Sequence, residues 1–419
     1  MLKKLLSKGY LPSELPPIIT SESLSLLTKN PSSLSTGFTQ KTPIKSNLVV
    51  HNLARVGGLR RKLAIPNPIN FYRLSNVFVQ HEKELSAIWS ESSYSQTKPT
   101  FDVFNRRALT SNTTNRFHAK LKSRRNSKYL LKADISQFYP SLYTHAISWA
   151  LHTKPYAKAN KSKCSLLGNL LDKEVRDAQD GQTKGIPIGP DTSLGIAEIL
   201  LCKIDKELET RTKIKGGTRY IDDIELSHET LSEAEHSLRE LEQLLQSYEL
   251  QLNVSKTKII ELPHGFDNEY TSILRPLASH LADASSAYLI AYFDQAFALA
   301  RANKQDGVLR YAVGALKSVT VKKSAWIPFQ ELLWQSVLAD SGCLRLVLDI
   351  LLLNKESINL PIDSELALGT ISFLINTSSP VGHGSEILWG LWASLILDLK
   401  LDSSSQELIG KIEDGLPPI

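Results

Sequence analysis

The spacing of apolar positions changes character several times along the chain. "VVHNLARVGGLRRKLAIPNP", starting at Val49, holds two short apolar runs around Gly57-Gly58. It predicts two strands joined by a turn, ended by Pro66 and Pro68. Residues 70–90 show helical spacing. "YLLKAD" (129–134) reads as a buried strand that runs to a turn at Pro140, with a helix following through Trp149. "IPIGPDTSLGIAEILLCKIDKEL" turns helical after Gly189-Pro190, with Asp191, Thr192 or Ser193 available as its cap. "GGTRYIDDIELS" (216–227) places Asp222 and Asp223 between two apolar runs, the spacing of a tight hairpin with both acids at its tip. "SEAEHSLRELEQLLQSYEL" is a strongly periodic amphipathic helix, and "LQLNVSKTKIIEL" a strand with a turn in it. Beyond about residue 270 helix follows helix without a fixed period. Residues 1–45, rich in Pro, Ser and Thr, suggest an extended or loosely packed arm.

Composition adds little to this: 42% hydrophobic and 22% charged residues suit an ordinary globular chain of two or three units. "LRLVLDILLL" and "EILWGLWASLILDL" are too short and too interrupted by charge to span a bilayer, and predict buried helices. The N-terminus lacks the apolar core of a signal peptide. Cys164, Cys202 and Cys343 are scattered, without a metal-binding or disulfide spacing, which fits a reducing, cytoplasmic setting and no membrane.

Charge is more informative. Residues 1–132 hold 22 Lys and Arg against 6 Asp and Glu, whereas the remaining 287 residues hold 27 against 37. The basic first third suggests a polyanion partner, in particular nucleic acid. Its densest part lies between residues 105 and 132, where Arg106, Arg107, Arg116, Lys120, Lys122, Arg124 and Arg125 are candidates for phosphate contacts.

Alone, Asp222-Asp223 reads as a solvated acidic turn or as a metal site. Asp134, at the end of an apolar strand, alters that balance. A strand ending beside a hairpin tip can bring three carboxylates together, and hard oxygen donors of this kind suit magnesium. The histidines lack zinc spacing, and no P-loop, GxGxxG or GxSxG pattern is present.

Five segments in one order resemble reverse transcriptases. "YIDD" (220–223) resembles their YxDD box and "DISQFY" (134–139) their first catalytic motif. "GIPIGPDTS" (185–193) resembles the loop that contacts nucleotide and template. "LNVSKTKI" (252–259) resembles the lysine-bearing motif that follows, and "LRRKLAIP" (59–66) the fingers segment. The resemblance implies an α+β right-hand polymerase, fingers and palm, followed by an α-helical C-terminal domain. Its divisions would be an arm (1–45), a basic fingers-like region (46–130), a palm (131–268) and a helical domain (269–419).

The same resemblance implies RNA-directed DNA synthesis from dNTPs with two Mg²⁺ ions, Mn²⁺ being an alternative. Asp134, Asp222 and Asp223 would be catalytic and, with Ile135, would form the metal site. Arg61 would hold the triphosphate, Tyr139 would exclude the sugar 2′-hydroxyl, and Lys256 would stand near the pyrophosphate. Pro187, Ile188 and Gly189 would line the nucleotide. Retroviral and group II intron enzymes carry Gln where Ile188 stands. The loop here instead resembles the abortive-infection and other defence-associated enzymes of bacteria, as do "KGYLPSELPP" and "SEILWGLWASL". Expected partners are an RNA template, a DNA product and an associated RNA or protein, with a homo-oligomer also open. Two alternatives stand: untemplated, protein-primed synthesis, and a non-catalytic nucleic-acid-binding scaffold.

Overall fold

The computed structural model describes residues 1–28, 38, 42, 44–101, 107–111, 116–281, 285–412, 414 and 416. Its contacts divide the chain into two units, residues 1–14, 20–49 and 64–266 in one, and 15–19, 50–63 and 267–419 in the other.

The turn at Gly57-Gly58 forms where the pattern places it. Strands β1 (Val49–Ala54) and β2 (Arg60–Ile65) pair around it. Both glycines have φ near +72°, a region that glycine enters without a Cβ penalty. Residues 50–63 group with the helical second unit, so the expected fingers-like region 46–130 is divided. Side chains cause this. The Arg60 guanidinium donates to both oxygens of Glu386 at 2.6 and 2.8 Å. His51 Nδ1 lies 2.8 Å from Asp414 Oδ1, and the Ala54 N–H donates to Ser385 Oγ.

Residues 1–28 are not the loose arm that their composition suggests. Helix α1 (Leu2–Lys8) fully buries Leu5 and Leu6. Leu6 packs with Phe71 and Tyr72, and Tyr10 stacks on Phe71 while donating to the Pro66 carbonyl at 2.7 Å. A few leucines and one tyrosine outweigh the surrounding prolines and serines.

Helices α2 (Pro68–Gln80) and α3 (Glu82–Ser90) follow the expected 70–90 spacing. A small antiparallel pair, β3 (Pro99–Phe101) and β4 (Leu109–Ser111), precedes α4 (Arg116–Ser123). Strand β5 (Tyr129–Asp134) leads into the short helix α5 (Phe138–Ser141). Pro140 therefore lies inside a helical turn, and the break falls earlier, at Gln137 with φ +45°. Next come α6 (His145–His152), α7 (Lys154–Ala159), α8 (Leu167–Asp177) and the long α9 (Asp191–Arg211). No side chain caps α9, because Asp191 is turned inward and accepts from the N–H groups of Ala108 and Leu109 at 2.6 and 2.9 Å. Most of α9 is buried, as its weak polar face requires, against α3, α6 and the later α10 (Leu231–Ser247).

Strands β6 (Gly216–Tyr220), β7 (Asp223–His228) and β8 (Lys258–Glu261) join β5 in one antiparallel sheet of order β6-β7-β5-β8. Helix α10, started by a Thr230/Glu233 capping box, packs Ala234, Leu241, Leu244 and Leu245 toward it. Strand β6 lies close to its neighbours: a Cβ on Gly216 would run into the Ser123 carbonyl oxygen. A backbone atom cannot step aside cheaply. Gly216→Ala is therefore expected to lower unfolding free energy by about 1–3 kcal/mol, read as a lower denaturant midpoint with unchanged slope.

The second unit continues with α11 (Glu269–Ser279), α12 (Ser286–Ala302), α13 (Val308–Gly314), α14 (Trp326–Ala339), α15 (Leu344–Ile358), α16 (Ser364–Ser378), α17 (Gly384–Ile396) and α18 (Ser403–Ile409). The two most apolar stretches of sequence become α15 and α17 in its core. Among the described residues no helix is long and apolar enough to cross a membrane.

Candidate active site

The hairpin tip differs by one residue from the sequence expectation. Tyr220 pairs with Asp223, so the two-residue turn is Ile221-Asp222, and Asp223 opens β7. Ile221 takes φ +57°, costly for a β-branched residue. The shift sets the geometry of the acids. Asp223 becomes the register partner of Asp134 on the neighbouring β5, and the Ile135 N–H donates to the Asp222 carbonyl at 3.1 Å. Asp134, Ile135, Asp222 and Asp223 thus meet at one end of the sheet. Asp134 and Ile135 are buried, Asp222 is half-buried and Asp223 reaches solvent.

Electrostatics record the crowding. Burial pushes the Asp222 carboxyl above its ordinary range, and the charges of Asp134 and Asp223 add to this while Lys256 opposes it. Restricted hydration also raises Asp223, helped by Glu225 and Asp134 and opposed by Lys120 and Lys132. Asp134 is held by two donors: Asn253 Nδ2 reaches Oδ1 at 2.9 Å and Lys256 Nζ reaches Oδ2 at 2.9 Å. Lys256 is therefore drawn onto an acid of the cluster rather than standing apart from it. Asn253, three residues before Lys256 in the same segment, escaped the sequence reading. Among the described residues no three carboxylate, imidazole or thiol groups are close enough to hold a metal on their own.

Phe138 is buried, and Tyr139, half-buried, meets its ring edge-on at 5.6 Å. The Tyr139 carbonyl accepts from Ile186 N–H, tying α5 to the 187–189 loop. In that loop the Ile188 carbonyl accepts from Ala64 N–H at 2.9 Å. Gly189 has φ +141°, and a Cβ there would meet Pro12 at 2.5 Å. Pro12 of the "KGYLPSELPP" segment thus packs on the loop. Arg61 is exposed on β2 and belongs to the second unit.

The basic candidates divide by role. Lys120 and Arg124 donate to the two oxygens of the buried Glu225 at 2.9 and 3.0 Å, fastening α4 to β7. Arg107 lies 3.7 Å from Asp191, and Arg116 stacks 4.1 Å over the Tyr220 ring. Lys122 and Arg125 are exposed. Arg106 lies outside the described residues.

Residues 65–268, just under half of the chain, match the family model "Reverse transcriptase (RNA-dependent DNA polymerase)". Residues 65–268 are a reverse transcriptase domain. That domain is α+β, and a helical C-terminal region follows it. Among solved structures, apo telomerase from Candida tropicalis aligns with TM-score 0.38 and 13% identity, over 88% of this chain and 73% of that one. A form truncated from the C-terminal domain aligns at 0.37 and 16%, over 59% and 55%. Candida albicans telomerase in complex with a TWJ fragment of telomeric RNA aligns at 0.34 and 11%, over 88% and 69%. The chain thus spans little more than half of the truncated telomerase chain. No curated protein matches the sequence.

Proposed function

We propose that the reverse transcriptase domain adds dNTPs to a primer 3′-hydroxyl on an RNA template, with Asp134, Asp222 and Asp223 as its catalytic acids. The observation that carries this reading is the register Asp134↔Asp223 with Asp222 in the adjoining turn. It gathers carboxylates whose charges disfavour one another and which a divalent cation would reconcile. Their hard oxygens fit Mg²⁺, which also takes ligands from water and substrate phosphates, so a full protein cage is not required. Asp134, Asp222 and Asp223, with Ile135 beside them, would hold the ions. When bound, the ions supply Lewis-acid activation and charge neutralisation for in-line phosphoryl transfer. Lys256, whose side chain is largely exposed, would exchange Asp134 for a phosphate oxygen of the nucleotide.

Tyr139 on α5 serves as the gate against the sugar 2′-hydroxyl. Tyr139→Ala should raise kcat/KM for ribonucleotides relative to deoxyribonucleotides by about 10–200-fold, measured in single-nucleotide additions. Exposed Lys122 and Arg125 are the candidates for salt-sensitive phosphate contacts. The Ile188 loop and the N-terminal segment packed on it support a role in bacterial anti-phage defence, by resemblance. The same Ile188, which offers no side-chain amide to the nucleotide, supports relaxed templating as a second reading, with untemplated, protein-primed synthesis as its extreme.

One experiment separates these outcomes. Purified protein is incubated with Mg²⁺ and labelled dNTPs, with and without RNase. Product that vanishes with RNase supports RNA templating, and label bound covalently to the chain supports protein priming. Equal incorporation by wild type and by an Asp222→Ala/Asp223→Ala double variant would remove the polymerase reading. Protection of a bacterial host from phage by wild type, and not by that variant, tests the defence role.

A further inference from the structure

A ring of buried and partly buried hydrogen bonds encloses the peptide groups of Ile221. Its N–H donates to Thr97 Oγ1 at 3.2 Å, and the Thr97 hydroxyl donates to Glu198 Oε1 at 2.7 Å. Arg219 Nη1 donates both to Glu198 Oε1 at 3.0 Å and to the Ile221 carbonyl at 3.2 Å. Thr97, Glu198 and Arg219 are all almost wholly buried. Residues 94–97 run along β6, with Arg219 N–H bonded to Tyr94 O and Gln96 N–H to Arg219 O. The ring therefore sits on a supported strand edge rather than on a free loop.

Ile221 is the residue least suited to its own conformation. Its branched side chain resists a φ of +57°, and a turn relaxed to negative φ would swing the following residue. That residue is Asp222. We propose that Thr97, Glu198 and Arg219 are positioning residues that clamp the Ile221 peptide in its left-handed conformation and so aim the Asp222 carboxylate at the reacting phosphate. The inference rests on the polymerase reading above and adds to it a group of residues that touch neither substrate nor metal. Sub-ångström placement of a catalytic group is reason enough for such a support.

Thr97 offers the cleanest test, because valine keeps its shape and removes only the hydroxyl. Thr97→Val should lower kcat for single-nucleotide addition by about tenfold or more with KM for dNTP unchanged, while Thr97→Ser, which restores the hydroxyl, retains wild-type kcat. A second readout needs no activity: hydrogen exchange of the Ile221 amide in the protein alone should be about tenfold faster in Thr97→Val than in wild type or Thr97→Ser. Wild-type kcat together with wild-type exchange in Thr97→Val overturns the clamp. So does a kcat loss that merely tracks the unfolded fraction and is shared by Thr97→Ser. An inactive wild type would instead overturn the polymerase reading, and the exchange measurement would still decide the clamp.

Discussion

Replacing Asp222 with asparagine is expected to slow nucleotide addition by on the order of a thousandfold while raising the melting temperature. The two effects share one cause. Burial and the charges of Asp134 and Asp223 push the Asp222 carboxyl above its usual range, so the folded state holds its charge at a cost near neutral pH. An amide of the same shape removes that cost together with the hard anionic ligand. Asp134→Asn should differ in one respect. Its carboxylate is satisfied by Asn253 and Lys256, so neutralising it loses activity without the gain in stability. Single-turnover dNTP addition and thermal melts on the two variants read both quantities. Undiminished addition by Asp222→Asn would deny the acid its role, and a lowered melting temperature would deny the account of crowded charge.

That the acids come together is legible in the sequence, and the hydrogen bonds around Ile221 are not, because the two are encoded differently. The motif acids sit at the ends of short apolar runs, and a strand end or turn is a local property. Even so the tip lies one residue before the place that the apolar pattern gives it. Pairing Tyr220 with Asp223 puts Ile221 at positive φ, which local preference argues against, and tertiary hydrogen bonds impose it. Glu198, Asp205 and Thr97 carried no signal of their own, since nothing in a helix such as α9 marks which acid faces an arginine from another strand. Arg219 does carry one: a charge between two buried residues, Thr218 and Tyr220, implies a partner. Proline and serine content describes average behaviour, whereas Leu5, Leu6 and Tyr10 decide where residues 1–28 lie. The basic candidates show the same limit. Composition marks Lys120 and Arg124 as phosphate ligands as readily as Lys122 and Arg125, yet Glu225 claims the first two.

Arg219→Met should cost about 3–5 kcal/mol of unfolding free energy, a large share of the roughly 5–15 that holds a domain together. Arg219 is fully buried, donating to Glu198 at 3.0 Å through each terminal nitrogen and to Asp205 at 2.8 and 3.1 Å through Nε. Two carboxylates therefore share one guanidinium. Burial works to raise both, yet Arg219 holds Glu198 below its ordinary range, whereas Asp205 remains above its own. Methionine fills the volume and strands both acids, and the loss is that of unpaired buried charge rather than of packing. Two consequences separate this from a simple cavity. Adding Glu198→Gln and Asp205→Asn to Arg219→Met should recover much of the stability, since no charge is then left unpaired. Acid should also narrow the gap: without Arg219 the folded-state values of both carboxyls rise above their unfolded ones. The folded variant then binds more protons, and its deficit against wild type shrinks as pH falls toward the unfolded carboxylate range. Denaturant titrations at several pH values measure this directly. A deficit that is constant with pH, or that survives neutralising both acids, would mean that Arg219 acts by shape and not by charge.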